Sequence, residues 1–420
     1  MLATKLISNN NPVLDEHRDA LAGFYQASVQ HNLPAAFWRN PQRDTPQAVV
    51  DLSGAVQPVT IDFNQKTSGF AFAPFVNDGG KETLFMKADL HLDRTGIHFN
   101  PKLAGSNGHW ARRKTRFLDT FQELMDQPLR PDGAWFMAPP DRQTDAISTQ
   151  AEFCHLVQKA ISYIQASGIK KIVTSRASEI PLPPNFDPIT AFELLCRRYP
   201  QAFVSLVSIP SVGTWLGASP ELLLSLSDQK LSTVALAGTR AYLPDLPLSA
   251  VRWGTKEIEE QALVSDYIRE FFRQLGLPHF AEDGPRTVAA GNVAHLQTRF
   301  EINLAPAQLL HLANQILHKL HPTSAVCGMP KQEALSFILE NEKYNRAFYS
   351  GFLGPIHMQH HSELFVNLRC MQLKRDRAVL YVGAGITHDS VPELEWEETV
   401  LKSKTLLAIL EPELVPLSCH

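Results

Sequence analysis

Two short stretches in the second half of the chain carry carboxylates and amines at helical spacing. Lys256, Glu257, Glu259 and Glu260 are close together, and residues three or four apart share a helix face, so Lys256 can sit beside Glu260. Nearer the C-terminus, Glu395 and Glu398 are three apart and Glu398 and Lys402 four apart, so all three can face one way. Two readings are open: solvated salt-bridged faces, or a paired site in which carboxylates from separated helices hold a hard divalent cation and a lysine meets an anionic substrate. Magnesium takes oxygen ligands and keeps several waters, so two carboxylates and a substrate carboxylate would suffice chemically.

Two glycine-bearing segments frame these groups. Leu236-Ala237-Gly238-Thr239-Arg240 sets adaptable backbone beside a hydroxyl and a guanidinium, and Gly383-Ala384-Gly385 reads as a turn whose N–H groups could face an anion. Neither is a nucleotide-binding signature. Arg369, in the apolar run Val366–Met371, needs either a wet face or an anionic partner such as a carboxylate, which its fork can bind through both oxygens. Lys171 opens a strand and would act as a base only if it gave up its proton, whereas Glu221, after Ser219-Pro220, would act as an acid if an apolar setting kept it protonated. His295 reads as a structural residue near a turn or as a further polar group of a site.

The elements that must position these residues are clearest from residue 149 onward. Thr149 caps a predicted helix running to about Ala166 and stopped by Gly168, and a strand Lys171–Ser175 follows. Strands are predicted at Ala202–Ile209, Leu222–Leu226, Ser232–Leu236, Leu364–Leu373 and Val379–Val382, and helices at Lys256–Arg273, Gln332–Tyr349 and Trp396–Ile409. Residues 1–145 show strand-like alternation at Phe70–Phe75 and Met86–Leu92, a turn at Asn77–Gly80, and breaks at Pro128, Pro131, Pro139 and Pro140. Hairpin-like strands mixed with long helices indicate an α/β (α+β) fold with helices covering sheet faces.

Among the 420 residues, 44% are hydrophobic and 20% charged, enough for a large core under an ordinary surface. A formal net charge of −4 argues against nucleic-acid binding, and the one basic stretch, Arg112, Arg113, Lys114 and Arg116, lacks interleaved aromatics. Five widely spaced cysteines, Cys154, Cys196, Cys327, Cys370 and Cys419, form no metal or redox motif and suit a reducing compartment. No secretory signal and no membrane span is expected, so the cytoplasm is the default location. The sequence allows a monomer and leaves the oligomeric state undetermined.

Read together, the segments KKIVTSRA (170–177), WLGASPELLL (215–224), LAGTR (236–240), HPTSAVCGMP (321–330), NRAFYSGFLG (345–354), VNLRCM (366–371) and VGAGITHDSVPELEWEETVLKSK (382–404) resemble the chorismate-binding enzyme family. That family includes isochorismate synthases, salicylate synthases and the first components of anthranilate and aminodeoxychorismate synthases. The resemblance is strong over 150–410 and weaker over 1–145, around SGFAFAPF (68–75). It implies one large domain spanning 1–420, with two stacked antiparallel sheets and outer helices. It further implies Mg²⁺ at Glu260 and Glu398 with Glu395 assisting, and substrate carboxylates met by Arg369, Lys402 and the backbone at Gly383 and Gly385. Tyr349 would line the pocket and Gly238 and Thr239 would border the substrate ring.

Within such a family the nucleophile divides the chemistry. Hydrating members resemble this chain in carrying a lysine at the position of Lys171, and the aminodeoxychorismate synthases carry a nucleophilic lysine where this chain has Ala237. The resemblance therefore implies that chorismate becomes isochorismate, with Lys171 as base toward water and Glu221 as acid toward the leaving hydroxyl, in a menaquinone or siderophore route. Salicylate synthesis and a catalytically silent binding subunit are the alternatives. The chain departs from the family pattern at Gln261, usually histidine, and at Cys327 and Ala347, usually glycine.

Overall fold

Strands Phe203–Ile209 and Gly213–Ser219 are buried at every position. Continuous burial of this kind belongs to a sheet covered on both faces. The computed structural model describes residues 12–77, 82–101, 108–126, 134–139, 147–242, 246–277 and 279–410.

Two antiparallel sheets, one of ten strands and one of nine, organise the described residues. The larger contains Lys171–Pro181 beside Arg377–Ile386, then Cys370–Leu373, Gly213–Ser219, Phe203–Ile209 and the early strands Ala35–Arg39 and Gln47–Val50. The smaller contains Val293–Asn303, Lys230–Ala241, Leu222–Leu226, Ser362–Val366, Phe352–Ile356 and the early strand Gly69–Ala73. Strands from the N-terminal region thus run within both sheets.

The sheets stack through a shared core to which one contributes Trp38, Phe203, Val207, Trp215 and Tyr381 and the other Phe70, Phe72, Leu353 and Phe365. Phe203 lies flat on Phe365 with ring centroids 4.1 Å apart. Helices cover the outer faces. Thr255–Gln274 and Pro306–Leu320 pack their Phe272, Leu309 and Ile316 on the smaller sheet, while Pro188–Arg198 packs Phe192 and Leu195 on the larger. The helix Gln150–Ser167 starts where predicted, with Thr149 and Glu152 forming a reciprocal cap, and ends at Gly168 in the left-handed region, φ 74°.

Several boundaries differ from the sequence expectation, two of them because the chain changes sheets. The expected strand Leu364–Leu373 is two strands, Ser362–Val366 in the smaller sheet and Cys370–Leu373 in the larger, joined through Arg369 at φ 49°. Met86–Leu92 divides likewise into Thr83–Lys87 and Leu90–Asp93, one in each sheet. The expected helix Gln332–Tyr349 is Lys331–Asn341, after which Glu342 is extended and Ala347 and Ser350 take positive φ. Gly383-Ala384-Gly385 is no turn; it pairs with Val173–Ser175 inside a ten-residue strand.

The basic stretch lies on the helix His109–Met125, where Arg113 donates to the Leu52 carbonyl at 2.7 Å and Lys114 sits 4.9 Å over the Phe99 ring. Cys154, Cys196, Cys327 and Cys370 are free thiols, and Cys419 lies outside the described residues, as do Asp78–Gly80, Pro128, Pro131 and Pro140. Among the described residues no helix is long and apolar enough to cross a membrane.

Candidate active site

Two of the places where the chain steps from one sheet to the other deliver two of the candidate residues. Ser219-Pro220-Glu221 joins Gly213–Ser219 in the larger sheet to Leu222–Leu226 in the smaller, and Asn367-Leu368-Arg369 makes the return. They are tied together by the Val366 N–H donating to the Glu221 carbonyl at 2.9 Å and by Ser219 Oγ donating to the Val366 carbonyl. Glu221 and Arg369 are therefore buried between the sheets, 4% and 7% exposed.

Arg369 is a buried cation with an unusual partner set. Its Nη2 lies 3.2 Å from His295 Nε2, and its Nε has no partner among the described residues. Because the guanidinium can only donate, Nε2 must accept, which leaves Nδ1–H to donate to the Gly238 carbonyl at 2.7 Å. Burial and then the Arg369 charge push the His295 imidazole down to about 3, so it is neutral. Burial also lowers Arg369 from its ordinary value, and an N–H held away from water without a partner is costly unless an anion meets it. The site has such a place for an anion at Arg369. Gly238, at φ 67° in an irregularity of the Lys230–Ala241 strand, owes its role to its carbonyl and to space, since a Cβ there would stand 3.0 Å from Glu257 Cβ.

Burial pushes the Glu221 carboxyl up to about 7, against the pull of Lys171, Thr323, Arg369 and Lys402. Thr323 Oγ1 is its side-chain hydrogen-bond partner, at 3.4 Å. The group is thus poised between acid and carboxylate near neutral pH, the condition for a general acid.

Three carboxylates and three lysines form the other half of the site. Lys171 Nζ, 1% exposed, donates to Glu260 Oε1 at 2.7 Å. Lys402 Nζ donates to Glu398 Oε1 at 2.7 Å and to the Gly383 carbonyl at 2.9 Å. Lys256 donates to Glu395, whose residue is 1% exposed. The sequence spacing suggested Lys256 beside Glu260 on one helix; instead each lysine but Lys402 reaches a carboxylate on a different element. Burial would raise Glu260, yet Lys171, Lys402 and Lys256 together hold its carboxyl below the ordinary value. Burial raises Glu395, opposed by Lys256 and aided by Glu398.

The glycines of Arg377–Ile386 make room for these groups. A Cβ at Gly385 would stand 2.5 Å from Glu260 Oε1 and 2.8 Å from Lys171 Cε, and one at Gly383 would stand 2.7 Å from the Thr174 carbonyl and 2.9 Å from Tyr349 Oη. Tyr349 is buried, stacked on Tyr381 at 5.6 Å, and burial pushes its phenol up to about 12. A cleft of about 900 Å³ is lined by Thr239, Lys256, Glu395 and Glu398, and a cavity of about 350 Å³ by Lys256 and Glu260. Lys171, Glu221, His295 and Arg369 line neither; they are buried.

All twelve residues named from the sequence fall in or around this region. Glu260, Glu395 and Glu398 offer an all-oxygen, anionic donor set of the kind magnesium takes, with Gly385 sparing the space that Glu260 needs. Among the described residues no three His, Cys, Asp or Glu side chains converge into a ready-made cage, and each of these carboxylates has a lysine against it. The donor chemistry fits the metal, with substrate and water left to complete its shell. For His295 the sequence leaves a structural role and a place in a site both open; its position beside Gly238 is recognisable only once two strands pair.

The profile of the chorismate-binding enzyme family matches residues 106–411. The chain belongs to the chorismate-binding enzymes. It is 30% identical over 272 residues to isochorismate synthase EntC of Escherichia coli (strain K12), covering 64% of this chain and 69% of that protein. It is 26% identical over 329 residues to anthranilate synthase component 1 of Aquifex aeolicus, covering 73% of this chain and 62% of the relative. The fold is similar to that of the menaquinone-specific isochorismate synthase MenF of Escherichia coli, with a TM-score of 0.68 at 22% identity over 90% of this chain and 89% of that one. Relatives of this chain thus carry both isochorismate synthase and anthranilate synthase names.

Proposed function

We propose that this chorismate-binding enzyme is an isochorismate synthase, converting chorismate to isochorismate by addition of water at C2 and loss of the C4 hydroxyl. The observation that carries the reading is the buried acid Glu221, whose carboxyl burial pushes up to about 7 against the pull of the Lys171 charge. Lys171, as the neutral amine left once it has released the proton it donates to Glu260, takes a proton from the water that bonds to C2, the ring double bond shifts, and the C4–O bond breaks as Glu221 gives its proton to the departing hydroxyl. One water enters and one leaves, so there is no net redox change. Arg369, through its unpartnered Nε, and Lys402 meet the substrate carboxylates, while neutral His295 holds the guanidinium in place.

Magnesium, held by Glu260 and Glu398 with Glu395 assisting, would neutralise a substrate carboxylate next to these acidic groups. Ala237, buried in the Lys230–Ala241 strand, offers no nucleophile, which favours water over an amine-bearing side chain. The test is incubation of the full chain with chorismate, with and without Mg²⁺, and identification of products. Isochorismate formed only with Mg²⁺ is the expected result. Salicylate with pyruvate would make the chain a lyase as well, and no turnover would make it a binding subunit.

A further inference from the structure

Each carboxylate proposed for magnesium is neutralised by a different lysine: Glu260 by Lys171, Glu398 by Lys402 and Glu395 by Lys256. Lys171 and Lys402 have tasks in the reaction proposed above. Lys256 has none, yet it is the lysine that links the two carboxylate-bearing helices. It stands on Thr255–Gln274 with Glu260 and reaches across to Glu395 on Pro392–Leu410, 139 residues further along the chain. It borders both openings, sharing the smaller cavity with Glu260 and the larger cleft with Glu395 and Glu398. A single ammonium therefore borders the openings that hold all three carboxylates.

We propose that the Lys256 ammonium is a built-in stand-in for the divalent cation, holding the two ligand-bearing helices together before metal arrives and being displaced from Glu395 when it does. This rests on the magnesium reading above and adds its regulation. Two helices bearing buried carboxylates repel each other unless a cation lies between them, and Lys256 supplies that cation from within the chain. Its competition weakens magnesium at the empty site, so the metal gains most of its hold once a substrate carboxylate completes the shell. The expected behaviour is binding of metal and substrate that is strongly cooperative because of one lysine.

The experiment is calorimetric titration of magnesium chloride into the full chain, with and without chorismate, for the wild type, Lys256→Met and Lys256→Arg. Lys256→Met should bind Mg²⁺ without chorismate at least about tenfold more tightly than the wild type, because an unpaired buried carboxylate then awaits the ion. The gain on adding chorismate should shrink by the same factor, and Lys256→Arg should stay near the wild type. Equal or weaker Mg²⁺ affinity in a folded Lys256→Met overturns the proposal. Absence of Mg²⁺ binding by the wild type even with chorismate would instead overturn the magnesium reading and the proposal with it. A measurement on the wild type covers a variant that does not fold. Reductive methylation read by mass spectrometry should label Lys256 faster when Mg²⁺ is bound, and an unchanged rate under saturating metal overturns the displacement.

Discussion

Replacing Glu221 with glutamine keeps the shape of the side chain and removes its titration. In the folded chain the carboxyl is pushed up to about 7 from an ordinary value of 4.5, with burial as the main cause. Between those two values the folded state holds a proton that the unfolded state has released, so stability falls as pH rises through the window. Each pH unit is worth about 1.4 kcal/mol, and the whole window therefore costs the wild type about 3 kcal/mol at pH 8 relative to acid conditions. Glutamine carries no such cost. Urea unfolding of both proteins at pH 5 and pH 8 should show Glu221→Gln gaining about 2–3 kcal/mol on the wild type between the two conditions. The same variant should lose about 10²–10⁴-fold in kcat, because the leaving hydroxyl has no proton donor. An identical stability difference at both pH values would refute the account of Glu221 as a buried, near-neutral acid. A kcat within twofold of the wild type would remove it from the mechanism even if the stability result held.

Lys171→Gln should lower kcat about 10²–10⁴-fold while chorismate affinity, followed by calorimetry, changes far less, since Arg369 and Lys402 remain; near-wild-type kcat would end the argument for hydration. Gly385→Ala would bring a methyl 2.5 Å from Glu260 Oε1, roughly 0.8 Å inside an ordinary carbon–oxygen contact. The flexible carboxylate can yield, so the melting temperature should change little while kcat falls about 10²-fold, and an unchanged kcat would show that Glu260 has room to spare. Gly383→Ala meets the Thr174 backbone carbonyl instead and should cost about 1–3 kcal/mol in urea unfolding, a loss that an unchanged midpoint would contradict.

Much of the site's membership is legible in the residues alone. Glu398 and Lys402 are four apart on one helix, and their 2.7 Å contact follows from helical geometry. The segment motifs that resemble chorismate-binding enzymes carry the family and the layered two-sheet fold, because long ordered strings of residues are far more specific than any one spacing. The Thr149 cap and the Gly168 stop are equally readable, since capping is decided within a few residues.

What only the tertiary structure decides is who pairs with whom across the layers. Helical spacing places Lys256 beside Glu260, but stacking of the sheets brings Pro392–Leu410 close enough for Lys256 to take Glu395 and for Lys171, 89 residues away, to take Glu260. The apolar run containing Arg369 looks like one strand because apolar residues line both sides of a sheet-to-sheet crossing; the positive φ at Arg369 that ends one strand and begins the next has no signature in side-chain pattern. His295 becomes part of the site only through the pairing of its strand with Lys230–Ala241, which sets its ring between the Gly238 carbonyl and Arg369. Local spacing determines neighbours on one element, whereas burial of charge between elements is settled by where two covered sheets place their crossings.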